Sequence, residues 1–313
     1  MAQKVGSTVT SQRYLMKFSY IGTNYQGIQK DPTINTRRKS ISNVLEESLS
    51  LFNKRKQNIV PIVRTASRTD IGVHALVNAA TFDTVQDLER KGFDCASLRK
   101  GLNHYMLKNE EQIQVNEVLE CQNPWFDCRS TPQHRTYLYK VILCKDKNYQ
   151  SNPLYLFNQD RAWVLPIKGV DIDKISECAD LFIGRHYLKN FVRVNTREPD
   201  PLNYYRTINS IKVHRQFSDL IIPNSPFEEN YVQLGIEINA KAFLWNQIRI
   251  LVFTLLKYSL GEISKDQINW LLKECNDSPI LENNERFMKL MAPAGGLYLV
   301  DINYDPKHFN INI

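Results

Sequence analysis

The sharpest chemical feature of the chain is Ser67-Arg68-Thr69-Asp70-Ile71-Gly72-Val73-His74-Ala75. Residues 68–72 read as a loop that runs straight into an apolar strand, so the Asp70 carboxylate has a rigid base. A carboxylate held in that way can serve as a covalent nucleophile, provided that a neighbouring cation keeps it ionised. An Asp close before Gly is also an ordinary turn residue that bonds nearby amides, and the segment alone leaves both roles open. Arg249 is the candidate cation, the only charged side chain within 243–256. A guanidinium cannot shed its charge, so it either snorkels to water or meets a carboxylate. A third feature, Arg135-Thr136-Tyr137-Leu138-Tyr139, sets Tyr137 and Tyr139 on one face of a strand. Tyrosines there are routine sheet residues. At a cleft mouth, however, tyrosine can stack on an extruded base, worth about 1–3 kcal/mol.

Alternating strand and helix patterns must position these groups. Strands are expected over 13–20, 73–82, 112–119, 135–143, 207–215, 231–238 and 296–304, with an extended stretch at 59–65. Helices are expected from Ser40, which precedes Ile41, Val44, Leu45, Leu49 and Phe52 at helical spacing, and over 95–105 and 171–183. A helix over 243–260 ends at Gly261, and Ser264 with Gln267 forms a capping box for another through Cys275. This order gives an α+β protein with antiparallel or mixed sheets in two halves, 14–124 and 125–305, between tails 1–13 and 306–313. Asn123-Pro124-Trp125 marks the junction, and two such halves would flank a central cleft.

Composition narrows the classes further. The 313 residues are 42% hydrophobic and 11% aromatic, enough for a buried core. The net charge of +7 suits a polyanionic partner. Basic clusters at Arg37, Arg38, Lys39, Lys54, Arg55 and Lys56, and at Arg185, Lys189, Arg193 and Arg197, can grip phosphates or be solvated faces. Six cysteines without a CxxC pair fit a reducing compartment. Cys121, Cys128 and His134 match no common zinc spacing, and no metal is expected. Neither GxGxxG nor GxxxxGK[ST] occurs, so no nucleotide cofactor is expected. No apolar run has membrane-spanning length, and no membrane partner is expected. The first thirty residues lack acids and carry Lys4, Arg13, Lys17 and Lys30, which tilts the expected location to mitochondria over cytosol or nucleus, although the strand pattern leaves room only for a short leader.

Ser67 to Ala75 also resembles the Gly/Ser-Arg-Thr-Asp-Ala-Gly-Val-His-Ala signature of the TruA-type tRNA pseudouridine synthases. Tyr20-Ile21-Gly22-Thr23-Asn24-Tyr25-Gln26-Gly27-Ile28-Gln29 resembles that family's Tyr-Asp-Gly-Thr-x-Tyr-x-Gly-Trp-Gln. Further matches follow in order: Phe126-Asp127-Cys128-Arg129 with the Arg135 to Tyr139 segment, Gly184-Arg185-His186 with Phe191, and Arg206-Thr207-Ile208. Phe243-Leu244-Trp245-Asn246-Gln247-Ile248-Arg249 and Ala292-Pro293-Ala294-Gly295-Gly296-Leu297 complete the set. The resemblance covers about residues 14–305 and is nearest to the animal pseudouridine synthase-like branch.

The resemblance implies the pseudouridine synthase fold and isomerisation of uridine in structured RNA, with the tRNA anticodon stem-loop as target, by an enzyme needing no cofactor. It implies Asp70 as nucleophile, Tyr137 as the base-stacking residue and Arg249 as the partner of the nucleophile. Arg68 would hold the place of the flipped nucleotide, and Gln29 and His74 would face substrate. A homodimer is implied as well. Ile71, Ile28 and Tyr187-Leu188 depart from the family pattern and bear on substrate choice. The competing expectation is a catalytically silent RNA-binding protein that keeps the fold.

Overall fold

Tyr14, Leu15, Met16 and Phe18 are all sealed from solvent, so the strand that carries them is covered on both faces. In this computed structural model residues 10–29, 38–53, 61–86, 94–151, 153–193, 203–216, 230–273 and 290–310 are described. The leader reading, Arg37, Lys54, Arg55, Lys56, Arg197 and Cys275 lie outside them. The chain divides into two compact units, 1–133 with 299–313, and 134–298.

The first unit contains β1 (Thr10–Tyr20), α1 (Ile41–Asn53), β2 (Arg64–Thr65), β3 (His74–Gln86), α2 (Cys95–Lys108) and β4 (Ile113–Glu120). Its strand order is β4-β1-β3, with β2 on β3, and the pairs are antiparallel. Tyr14 and Phe82 are register partners whose rings stack at 5.6 Å, one of the cross-strand pairs that fix the register. Helix α1 starts where Ser40 Oγ accepts from Asn43 N at 3.2 Å, and it buries Ile41, Val44, Leu45 and Leu49. Helix α2 starts at Asp94, whose carboxylate accepts from Ala96 and Ser97 N–H, and it buries Leu98, Leu102 and Met106. The Arg64–Thr65 strand is all that forms of the expected 59–65 extension among the described residues.

The second unit contains β5 (His134–Cys144), α3 (Pro153–Asn158), β6 (Trp163–Pro166), α4 (Ile172–Asp180), β7 (Gly184–Tyr187), β8 (Tyr205–Gln216), β9 (Tyr231–Ala240), α5 (Gln247–Ser259) and α6 (Lys265–Leu271). A last strand, β10 (Leu297–Asn303), begins here and ends in the first unit. The order β5-β9-β8-β7 is antiparallel throughout, and β6 joins β5 in parallel, which makes the architecture mixed α+β as expected. Helix α6 carries the expected Ser264–Gln267 capping box. Helices α3 and the strands β6 and β7 are short, and the sequence pattern did not reveal them.

Three expected boundaries are displaced: the helix foreseen through Cys275 ends at Leu271, the helix foreseen over 171–183 ends at Asp180, and a third is displaced at its start. The helix foreseen over 243–260 begins only at Gln247, because Asn246 adopts a left-handed conformation (φ 58°) that no α-helix interior tolerates. Its far end falls at Leu260 with Gly261 at φ +74°, as foreseen.

Cys121, Cys128, Cys144 and Cys178 behave as small buried hydrophobes. Cys128 Sγ donates to Arg64 O at 3.0 Å, and burial pushes the Cys121 thiol up to about 12. Among the described residues no group of three His, Cys, Asp or Glu could hold a metal ion, and no helix is long and apolar enough to cross a membrane.

Candidate active site

Asp70 opens a four-residue turn that Val73 N–H closes by donating to Asp70 O at 3.2 Å. Gly72 holds the third position at φ +81°, a geometry that strongly favours glycine. The neighbouring side chains alternate in exposure. Thr69 and Val73 are buried, Arg68 and Ile71 face solvent, and Asp70 is half-buried between them.

Residues 20–29 brace this turn from below. Ile28 N donates to Thr69 O at 3.2 Å. A Cβ on Gly27 would lie 3.1 Å from that same oxygen, and a Cβ on Gly22 would lie 2.0 Å from Val73 O. The glycines of this motif are therefore demanded by two backbones in close approach. Gly22 N donates to His74 Nδ1 at 3.1 Å, so that nitrogen carries no proton and the buried imidazole is a brace for the loop. Tyr20 and Thr69 share a hydroxyl hydrogen bond of 2.7 Å. Asn78 Nδ2 donates to Tyr20 Oη at 3.1 Å and to Ser67 O at 3.2 Å, and its Oδ1 accepts from Ala79 N. Buried and mutually satisfied, this network fixes the backbone on which Asp70 stands. Gln29, in contrast, lies exposed at the end of the motif.

In the second unit, strand β5 buries Arg135, Tyr137, Tyr139 and Val141 on one face. Tyr137 keeps 7% exposure and meets Phe243 edge-on at 5.2 Å, whereas Tyr139 is sealed at 0%. Tyr139 Oη donates to Pro293 O at 2.7 Å, and a Cβ on Gly296 would strike its ring at 2.6 Å. Burial pushes the Tyr139 phenol well above its usual range, opposed only by the positive charge of Arg249. Of the two tyrosines, Tyr137 alone retains access.

Arg249 does not simply reach for water. Its Nε donates to Ala292 O at 2.8 Å and its Nη1 to Asn246 Oδ1 at 3.3 Å, while Ala292 N donates back to Arg249 O at 3.1 Å. Asn246 thus sets the bend before α5 with its left-handed backbone and positions the guanidinium with its side chain. Gln247 supports the same bend, since Leu244 N donates to its Oε1 at 2.7 Å and its own N donates to Leu244 O. Sequence reasoning missed Asn246, Asn78, Tyr20 and Ala292 as positioning residues. Only Asn246 carried a signal, because asparagine before an apolar helical run is a favoured cap and tolerates positive φ.

Thus one unit presents a braced, half-buried carboxylate, and the other a tethered guanidinium and a tyrosine that keeps slight access. The family profile described as tRNA pseudouridine synthase matches residues 178–305. The chain is 31% identical to tRNA pseudouridine synthase A of Hydrogenobaculum sp. over 296 residues, covering 94% of this chain and 100% of that protein. It is 28% identical over 308 residues to tRNA pseudouridine synthase-like 1 of Homo sapiens, covering 97% and 94%. To tRNA pseudouridine synthase A of Limosilactobacillus reuteri it is 27% identical over 292 residues, covering 93% and 96%. This chain belongs to the tRNA pseudouridine synthase family, whose members are isomerases that act on RNA.

Proposed function

We propose that this protein isomerises uridine to pseudouridine in the anticodon stem-loop of tRNA, with Asp70 as the nucleophile. The reaction breaks the N1–C1′ bond, turns the uracil and joins C5 to C1′, so that the C5 proton is released and N1 gains one. Nothing is oxidised, hydrolysed or taken from a donor. The observation that carries this reading is the braced Asp70 turn, whose Gly22, Gly27 and His74 contacts fix the backbone that carries a half-buried carboxylate. Relatives named tRNA pseudouridine synthase over nearly the whole chain support the substrate class.

On this reading Asp70 needs a cation to stay ionised, the role that the resemblance gives to Arg249. Extruding the uridine costs a few kcal/mol of unstacking, which Tyr137 against the uracil and Arg68 in the vacated stack offset. Gln29 lies exposed where it can meet RNA, and His74 acts from beneath the loop. The working unit is a homodimer, carried over from the resemblance.

The test is release of tritium from tRNA transcripts carrying [5-³H]uridine. Wild-type protein is expected to release label and Asp70→Ala to release none. Tight tRNA binding by wild type without any release would replace this reading with a silent RNA-binding protein. A transcript deuterated at C2′ separates the two routes open to the carboxylate. A primary isotope effect marks deprotonation at C2′, and its absence marks attack on C1′.

A further inference from the structure

Several surface cations in this chain are answered by acids. Lys17 meets Glu117 at 2.8 Å, Lys39 meets Glu47 at 2.6 Å and Lys257 meets Glu262 at 2.6 Å. Arg193 is different. No acid among the described residues pairs with it, and its guanidinium carbon instead lies 5.6 Å from the centre of the Trp245 ring. Trp245 is 46% exposed, although burying an indole is among the larger apolar gains a side chain can make. The pair is also held in place by backbone, since Arg193 N donates to Trp245 O at 3.2 Å. Two residues before Arg193, Phe191 is sealed and packs edge-on against Phe182 at 5.1 Å, so the short 3-10 turn Lys189–Phe191 leading into the pair is anchored in the core.

The position is informative. Trp245 lies two residues after Phe243, which touches Tyr137, and one residue before Asn246, which binds Arg249. A flat aromatic surface backed by an unanswered guanidinium, at the rim of this group, matches one ligand chemistry: a nucleobase with its phosphate. Bases stack on aromatics without regard to sequence, and the cation adds attraction for the phosphate. Arg185 repeats the motif on Tyr205 at 4.8 Å, again without an acidic partner among the described residues.

We propose that Arg193 and Trp245 form a stacking platform for a nucleotide that neighbours the target uridine in tRNA, with the base on the indole and its phosphate on Arg193. The platform rests on the synthase reading given above and deepens it by assigning a second RNA subsite. It contributes to holding the RNA rather than to the chemical step.

The experiment compares wild type, Trp245→Ala, Trp245→Phe and Arg193→Gln on [5-³H]uridine tRNA transcript. Trp245→Ala is expected to raise KM about tenfold at little change in kcat, and Trp245→Phe to restore most of the loss. Arg193→Gln should lower the slope of log affinity against log salt by about one. In wild type, tRNA should quench an indole emission that Trp245→Phe lacks; this reading holds whether or not the alanine variant folds. An active wild type with unchanged KM in Trp245→Ala, or equal quenching in wild type and Trp245→Phe, would overturn the platform and leave the synthase reading standing. An inactive wild type would remove the synthase reading, and the quenching comparison would still decide whether Trp245 stacks on RNA.

Discussion

Arg249 and Ala292 hold each other twice, side chain to backbone at 2.8 Å and backbone to backbone at 3.1 Å. A half-buried polar contact of this kind fixes the guanidinium plane as well as its charge. Lysine would keep the charge but has no Nε with which to reach Ala292 O while also meeting Asn246. Arg249→Lys is therefore expected to fold and to lose about a hundredfold in kcat, the scale on which a misplaced catalytic group acts. Tritium release at saturating tRNA measures it, and an unchanged kcat would show that charge alone suffices.

Asn246 carries two separable duties, a left-handed backbone and a hydrogen bond to Arg249. Asn246→Gly keeps the first and removes the second, so the thermal midpoint should change little while kcat falls several-fold. Asn246→Ala removes the second and strains the first by about 1–2 kcal/mol, adding a lower midpoint. If both variants melt alike, the positive φ is not what sets the start of α5.

The glycines order themselves by what a methyl group would meet. Gly22→Ala drives a Cβ to 2.0 Å from Val73 O, backbone against backbone, directly beneath the Asp70 turn. Gly296→Ala strikes the sealed ring of Tyr139 at 2.6 Å. Each should cost about 1–3 kcal/mol or more, and Gly22→Ala should lose activity beyond its loss of stability. Gly261→Ala meets nothing within 4 Å and pays only for its φ of +74°, about 1 kcal/mol. Urea midpoints for the three variants test that ranking.

Much of this arrangement could be read from the residues. The alternation over 135–141 and the caps at Ser40 and Ser264 follow from local rules, and each produced the expected element. The α+β class followed from their order. What escaped reading depends on partners distant in sequence. Ala292 has no chemical signature until it lies against Arg249, 43 residues away. Asn78 looks like a polar interruption of a strand until its amide is seen to bridge Tyr20 and Ser67. The apolar run from Phe243 reads as continuous helix, because hydrophobic periodicity is blind to one left-handed residue. Likewise nothing local assigns 299–313 to the first unit, since a strand pattern does not name its neighbour.

Alkaline pH should unfold this protein through its buried acids of high pKa. Burial raises Tyr25, with the Glu111 hydrogen bond adding to it, and raises Tyr139 well above the usual phenol range. Burial likewise takes Tyr298, Cys121 and Cys178 up to about 12. In the unfolded chain the thiols titrate near ~8.5 and the phenols near ~10. Above those values the native state keeps protons that the unfolded state gives up, so stability falls as pH rises. The contribution is complete below about pH 8.5 and is lost progressively as pH climbs towards the raised native values. Urea midpoints should be level from pH 7 to about 8.5 and then decline, and phenolate absorbance at 295 nm should grow with unfolding rather than ahead of it. A midpoint that held to pH 11, with all fifteen tyrosines titrating at once, would mean that these phenols and thiols are not sealed as described.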